Sequence, residues 1–583
     1  MRALGIYFVL LLAALSSATG QVVSFSHEGG FYADTFTLSM TLDYVPQGAG
    51  PYTIHYTLNG NEPTECDTLY RAPIALTEAC YSTSSLYRVP TVPADRWFAP
   101  EAVERIIVVR AAAFDTDGYR CSPVTTHSYL IDSLLGRRIA LPVVSLCADS
   151  LSLFDHDTGL FVPGWYHDPR YAYSTGNYFQ RGRQWEREVS FAYYDVDGSV
   201  MEQTCGLRAH GNSQRVLAQK GLSLYARNDY GERTFRHPFF GEQARGSYRR
   251  LVLRPWSTSW SGTGIEDWLC QQIADSLRFD HLATRPVVLF INGEYWGIYF
   301  LEEKADEHFV EERHHVPSKD VDLLTYWGDE VENGTATRWD ELYRWLEGAD
   351  LEREADYDYL ASQVDIDAVM DYMLMQILIL NDDWPVSNVR QWAAPGRKWR
   401  WIFFDADGAL SSFPDNAAIL DYMTYKASGS STHATLRSTL LFRRLFGSRR
   451  FLERSMGRLR EIVRTHFAYS HTGPMLADIV RQVESEVPYQ IRRFDKPSSM
   501  LRWRMSVEVI DDFLRTEPEA MVNEYAQYFG LVLPPSEGFA AYDRYGRQVL
   551  PAGSREGQLK SMPKGIYFLR RDSGEIMKME IKD

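Results

Sequence analysis

Asn381-Asp382-Asp383-Trp384-Pro385-Val386-Ser387-Asn388, followed shortly by Trp399-Arg400-Trp401-Ile402-Phe403-Phe404-Asp405-Ala406-Asp407-Gly408, is the part of the chain on which its reading turns. The first stretch follows an apolar helical pattern at 366–381 and sets a carboxylate and an amide at Asp-x-x-x-x-Asn spacing, Asp383 and Asn388. The second is an apolar strand that delivers carboxylates at i and i+2, Asp405 and Asp407, and then a glycine. Carboxylate and amide oxygens are hard ligands for a divalent cation, and a further carboxylate can orient a hydroxyl. Either piece alone is weak, because the Asp-to-Asn spacing recurs by chance about once in a chain this long. Asp382 competes with Asp383, and the spacing to Asn388 favours Asp383.

Working outward, the segment Gly206-Leu207-Arg208-Ala209-His210-Gly211-Asn212-Ser213-Gln214-Arg215 precedes Lys220 and a short apolar strand pattern. Glycines let a backbone approach phosphate oxygens, and a lysine just downstream can neutralise their charge. Two glycines in a turn near a lysine are more often only a hairpin. Strand patterns dominate from 141 to 303, with one helical pattern at 264–278 among them. After Asp320 helical patterns take over, so 139–533 reads as one α+β domain.

The rest of the chain bounds this reading. At 583 residues it is long enough for two to four units. Its net charge of −16 argues against a nucleic-acid partner, which would call for a basic face. Residues 1–20, with Arg2 before an apolar run and small residues after it, read as a secretory signal peptide. No other stretch is apolar enough to span a membrane, so the mature chain is expected without a span. Export permits disulfides. Cys66 and Cys80 could staple one loop, and the six cysteines form no zinc-type cluster. Residues 21–133 show short alternating strands with a two-residue hairpin signal at Asn59-Gly60, the pattern of a small antiparallel β-sandwich. A last β-like unit occupies 538–583.

The ordered series over 139–410 resembles the kinase family of spore coat protein H. It is carried by Leu141–Leu146, Trp185-Glu186-Arg187-Glu188, the 206–215 loop with Lys220, Leu251-Val252-Leu253-Arg254, Ile291-Asn292-Gly293-Glu294-Tyr295-Trp296-Gly297, Asn381–Asn388 and Trp401–Asp407. The resemblance implies an atypical two-lobed protein-kinase-like domain that moves the ATP γ-phosphate to Ser or Thr of exported or surface proteins with Mg²⁺ or Mn²⁺. It implies Asp383 as catalytic aspartate, with Asp405, Asn388 and Asp407 at the metal. It also implies Lys220, Gly211, Asn212 and Ser213 at the nucleotide phosphates, and Glu302 or Glu303 near the adenine. Glu266 would be the helix glutamate paired with Lys220. Ser387 and Phe404 depart from the family's usual Asn and Trp, which leaves room for a catalytically idle surface adhesin or scaffold. Tyr56–Thr64 with Leu69-Tyr70 and Pro73-Ile74 resembles the chitobiase C-terminal-like module, which implies an accessory domain and a glycan contact. Residues 541–547 with 562–569 resemble the sorting domain of type IX secretion, which implies a secreted, cell-surface protein. A glycan-cleaving enzyme, using two of Asp382, Asp383, Asp405 and Asp407, is the third reading.

Overall fold

The computed structural model describes residues 22–43, 50–241, 245–411, 418–425, 434–531, 539–554, 559, 562–571 and 576–581. The signal peptide expected at 1–20 lies outside them. The protein is multidomain, with a β-rich N-terminal region and a mixed domain of sheets and helices.

At its centre is a closed barrel of β1 (Val143–Cys147), β2 (Arg187–Tyr194), β3 (Val200–His210), β4 (Gly221–Tyr225), β5 (Arg250–Arg254), β6 (Thr284–Ile291) and β7 (Glu294–Glu303). The order around it is β1-β2-β3-β4-β5-β7-β6, and β6 closes on β1 as the parallel pair. Side chains alternate faces along a strand. Leu222 and Leu224, Leu251 and Leu253, and Leu289 and Leu301 therefore join one interior cluster with Phe191 and Trp296. Their alternates Val288, Ile298 and Phe300 pack outward on the helices. Trp296 has no accessible surface and meets Phe154 and Phe161 edge-on. Burying that ring is worth roughly 3 kcal/mol. Gly297 (φ 112°) is needed beside it, because a Cβ there would stand 2.4 Å from Gln490 Oε1. Gln490, on the helix Val487–Phe494, accepts the Ile298 N–H at 3.0 Å and so ties the helical tail to the barrel.

Helix α1 (Glu266–Ile273) and helix α2 (Ile366–Leu378) pack outside the barrel in the large core. Almost all of α2 is buried, which is why its sequence is apolar all round. A second sheet runs Asp280–His281, Arg400–Phe403, Arg390–Ala393, Asp322–Thr325, Glu330–Asn333. The long helix Met500–Tyr528 closes the helical side.

The N-terminal region departs from the expected all-antiparallel sandwich. Its five-stranded sheet includes a parallel pair, Gly30–Tyr32 beside Thr125–Ile131, with two small two-stranded pairings against it. Asn59-Gly60 does form a turn, with Gly60 at φ 82°, but it does not make a two-residue hairpin. The strand Thr53–Thr57 pairs with Thr68–Leu69 well beyond it. Gly60 is kept free of a side chain by Asn292, which would meet a Cβ at 2.3 Å. That contact is part of a plug: the turn between β6 and β7 inserts into the N-terminal region. Ser82 Oγ donates to Asn292 O at 2.5 Å, and Glu294 accepts the N–H groups of Leu86 and Tyr87 at 2.9 and 2.6 Å.

Cys66, which is exposed, and Cys80, which is buried, are not bridged, and all six cysteines are free. The C-terminal strands Phe539–Asp543, Gln548–Ser554, Gly565–Arg571 and Ile576–Ile581 form an antiparallel sheet of four. Among the described residues, no helix is long and apolar enough to cross a membrane.

Candidate active site

The loop after α2 is held from within. Asn381 is fully buried and donates to Gln376 Oε1 at 2.8 Å, while its own Oδ1 accepts the Asp383 N–H at 3.3 Å. Trp384 is driven into the core against Phe442 and Tyr372. With both neighbours anchored, Asp383 is left facing out. Asn388 Nδ2 donates to Asp383 Oδ2 at 3.3 Å and to the backbone oxygen of Asp405 at 3.0 Å. A Cβ on Gly408 would lie 3.9 Å from the same Asp383 oxygen. The structure therefore brings Asp383, Asn388 and the 405–408 turn to one place. Asp382 is also exposed but acts on Tyr422.

Leu380, Asn388, Asp405 and Leu410 all have positive φ, between 52° and 62°. A left-handed residue costs about 1–2 kcal/mol, less for Asn and Asp. Such a concentration of strain at one loop pair is the mark of a site whose geometry is over-determined by its surroundings.

Arg254, at the end of β5, is the hub of the charges. Its guanidinium bonds Asp405, lies 3.3 Å from Asp407 and 3.9 Å from Asp267 on α1. Asp267 in turn accepts the Ala406 N–H at 2.7 Å, which locks α1 to the turn. Burial pushes the Asp405 carboxyl up, but Arg254 more than offsets this and holds it below the usual carboxylate range. Burial, with the Asp405 charge beside it, pushes Asp407 up to about 7. Asp407 Oδ2 accepts the Thr258 N–H at 2.7 Å and its carbonyl accepts Ser259 Oγ at 3.0 Å. It anchors the 257–261 loop as well as facing Arg254.

Strand parity separates Glu302 from Glu303. Glu302 pairs across to Val252 and shares the face of Arg254. Burial raises its carboxyl far above the usual range, with Arg254 partly offsetting. Glu303 faces the other way, bonding Arg245 and accepting the Ala283 N–H at 3.0 Å.

Lys220 is not brought to this place. It precedes Leu222 and Leu224 by even steps, so it shares their inward face. It is fully buried, donates to the carbonyls of Arg215 and Leu217 at 2.8 and 3.0 Å, and lies 3.8 Å over the Tyr178 ring. Burial, and then Arg215, push its ammonium well below the usual lysine range. Its expected pair with Glu266 does not form, since Glu266 lies under the 259–263 loop. Gly211, Asn212 and Ser213 are exposed at the β3–β4 turn, held by Arg215 Nε donating to Gly211 O at 2.7 Å. The turn does reach the site indirectly: Gln214 donates to Thr258 Oγ1 at 3.1 Å, next to the Asp407 anchor.

Lys304, Arg215, Arg254 and Arg390 are the cations that act on His210 at the end of β3. Burial, then Lys304, Arg215, Arg254 and Arg390, hold the His210 imidazole well below its ordinary value. Sequence reasoning assigned no role to Arg254, Asp267, Lys304 or Arg390. An arginine that ends an otherwise apolar strand at 251–254 was the available signal.

Comparison with family models gives two matches. Residues 45–129 match the model described as Fn3 associated, so the N-terminal region carries an Fn3-associated domain. No curated protein matches the chain. The model described as CotH kinase protein spans residues 207–521 and takes in Arg254, Asp383, Asn388 and Asp405. With more than half of its length matched in this way, the chain belongs to the CotH kinase protein family.

Proposed function

We propose that the protein is an atypical protein kinase, transferring the ATP γ-phosphoryl group to Ser or Thr hydroxyls of exported or surface proteins with Mg²⁺ or Mn²⁺. The observation that carries this is the single Asn388 amide bonded both to Asp383 and to the Asp405 backbone. It holds the hydroxyl-orienting carboxylate of Asp383 beside the turn that carries the metal-holding carboxylate of Asp405. The donor set fits a hard divalent ion. Asp405 is kept ionised by Arg254, and Asn388 spends its Nδ2 on both bonds, so its Oδ1 accepts none among the described residues. A bound ion would neutralise charge on the phosphates.

Asp383 takes the acceptor proton as the hydroxyl oxygen bonds to phosphorus and ADP leaves. Arg254 on a strand and Asp267 on a helix stand in the relation that protein kinases give to a strand lysine and a helix glutamate. Lys304 and Arg390 add positive charge around His210 and Arg254 at the end of β3, and on this reading the barrel and the helical half stand for the two lobes of a kinase-like domain. The leader at 1–20 places the acceptors outside the cell. The N-terminal module serves as an accessory domain able to contact glycan, and the C-terminal sheet as a sorting unit.

Lys220 is the one specific observation on the side of an idle scaffold, since its ammonium is spent inside the barrel. One experiment separates the readings. Purified protein incubated with γ-labelled ATP and Mg²⁺ or Mn²⁺ should label itself or an added acceptor, and Asp383→Asn should lower the rate by about 10²–10⁴-fold. Absence of label, or equal label with Asp383→Asn, refutes the kinase reading.

A further inference from the structure

We propose that Trp327 is a positioning residue for phosphoryl transfer, fixing the loop of Asp383 and Asn388 against the sheet that delivers Asp405; the inference rests on the kinase reading above. The turn Tyr326-Trp327-Gly328 leaves the strand Asp322–Thr325. That strand pairs with Arg390–Ala393, which pairs in turn with Arg400–Phe403, the strand running into Asp405. From this turn the Trp327 indole N–H donates to the Pro385 carbonyl at 2.7 Å. Pro385 lies between Asp383 and Asn388. The Asn388 amide is one tie between the loop and the Asp405 turn, and Trp327 ties the same loop to the sheet behind that turn.

Three observations point to a role beyond packing. First, Tyr326 and Trp327 have φ of 47° and 58°. Two successive left-handed aromatic residues are strained, and such strain persists only where the surroundings impose it. Here the Trp327 carbonyl accepts Trp339 Nε1–H at 2.6 Å and Arg437 Nε–H at 3.0 Å. Gly328 follows because a Cβ there would stand 2.4 Å from Trp339 Cδ1. Second, Pro385 has no N–H, so its carbonyl is its whole share of backbone hydrogen bonding, and that carbonyl accepts from Trp327. Third, the next residue is not held by close packing. Val386 is only partly buried and lines a cavity of about 280 Å³ with Tyr326, Trp327, Asp329 and Glu330. The indole bond therefore pins the loop on a side where side-chain contact is thin.

Asp383 has to stand within hydrogen-bond reach of the acceptor hydroxyl while that oxygen is in line with the γ-phosphorus. A displacement of about 1 Å can cost about 10²-fold in rate. In this role Trp327 touches no reacting atom and works through Asp383. Packing and hydrogen bonding can be separated, because Phe442 lies edge-on to Trp327 at 5.2 Å and also packs on Trp384 at 4.9 Å.

The test compares Trp327→Phe, which keeps a ring in the core and removes the N–H, with Phe442→Leu, which loosens the same aromatic cluster and leaves the N–H in place. Rates are taken per folded molecule with γ-labelled ATP and Mg²⁺. Trp327→Phe should lower kcat by about tenfold or more while KM for ATP changes less than about twofold, and Phe442→Leu should change kcat less than about threefold. Hydrogen exchange of the backbone amides from Asp383 to Asn388 should quicken in Trp327→Phe and stay at the wild-type rate in the barrel. The inference is overturned if Trp327→Phe lowers kcat less than tenfold, or no more than Phe442→Leu does. If wild type gives no label, the kinase reading falls, and exchange then decides: quickened loop amides in Trp327→Phe uphold the positioning of the loop, and unchanged ones overturn it. Should Trp327→Phe not fold, Arg437→Gln takes its place, since it removes a part-exposed donor to the Trp327 carbonyl; a several-fold loss of kcat is expected, and an unchanged kcat overturns the inference.

Discussion

Two groups of carboxylates sit near opposite ends of one strand. Glu202 lies near the start of β3, whereas His210 at its end is beside Arg254 and the Asp267, Asp405 and Asp407 cluster. Eight residues of strand separate them by roughly 26 Å. The first group has only a neutral-capable imidazole among its acids. The second is built round a guanidinium that carries its charge at any ordinary pH. The difference teaches what each is shaped for. A cluster with its own fixed cation holds its carboxylates in place before any ligand comes. A cluster without one has only the His127 imidazole between its two carboxylates.

The contrast breaks most readily at Arg254. Arg254→Met leaves Asp267, Glu302, Asp405 and Asp407 buried together without their counter-charge. Removing one partner of such a cluster costs about 3–5 kcal/mol, and the urea midpoint of the mixed domain should fall accordingly. An unchanged midpoint would mean that the guanidinium is not what holds the acids together.

Acid should loosen the same side of the molecule. His281 is in the sheet that delivers Asp405, and burial first, with Arg313 next, lowers it to about 4. The folded state then binds its proton less readily than the unfolded chain at 6.5. Stability is complete above that value and is lost as pH falls from about 6.5 towards about 4. The upper limit is about 3 kcal/mol. Thermal unfolding of His281→Asn against wild type across that window should show a shallower loss in the variant.

Lys220 should behave as a fold residue. Lys220→Met gives up two buried hydrogen bonds, about 1–3 kcal/mol, while phosphoryl transfer per folded molecule changes less than about threefold. A loss of kcat far larger than that, with stability kept, would move Lys220 back to the site.

Much of this was readable beforehand, for definite reasons. That Asp383, Asn388 and the Asp405 turn come together was legible because the spacing is local and the strand into Asp405 is unmistakably apolar. The inward direction of Lys220 was not legible, because what decides it is strand parity inside a closed barrel, and closure depends on the β1–β6 pairing far away in sequence. Glu302 and Glu303 could be told apart only once the register against β5 was known. Arg254 was in view as a residue of an apolar strand, but its three acidic partners come from α1 and the 405–407 turn. Asn59-Gly60 carries a real turn, yet its glycine answers to Asn292 rather than to a hairpin.

The most direct measurement is calorimetric binding of ATP with and without Mg²⁺ to wild type, Asp405→Asn and Lys220→Met. Wild type and Lys220→Met should bind ATP more tightly when Mg²⁺ is present, and Asp405→Asn should lose that gain. A Mg²⁺-dependent gain that survives Asp405→Asn but disappears in a folded Lys220→Met would contradict a phosphoryl-transfer site centred on Asp383, Asn388 and Asp405.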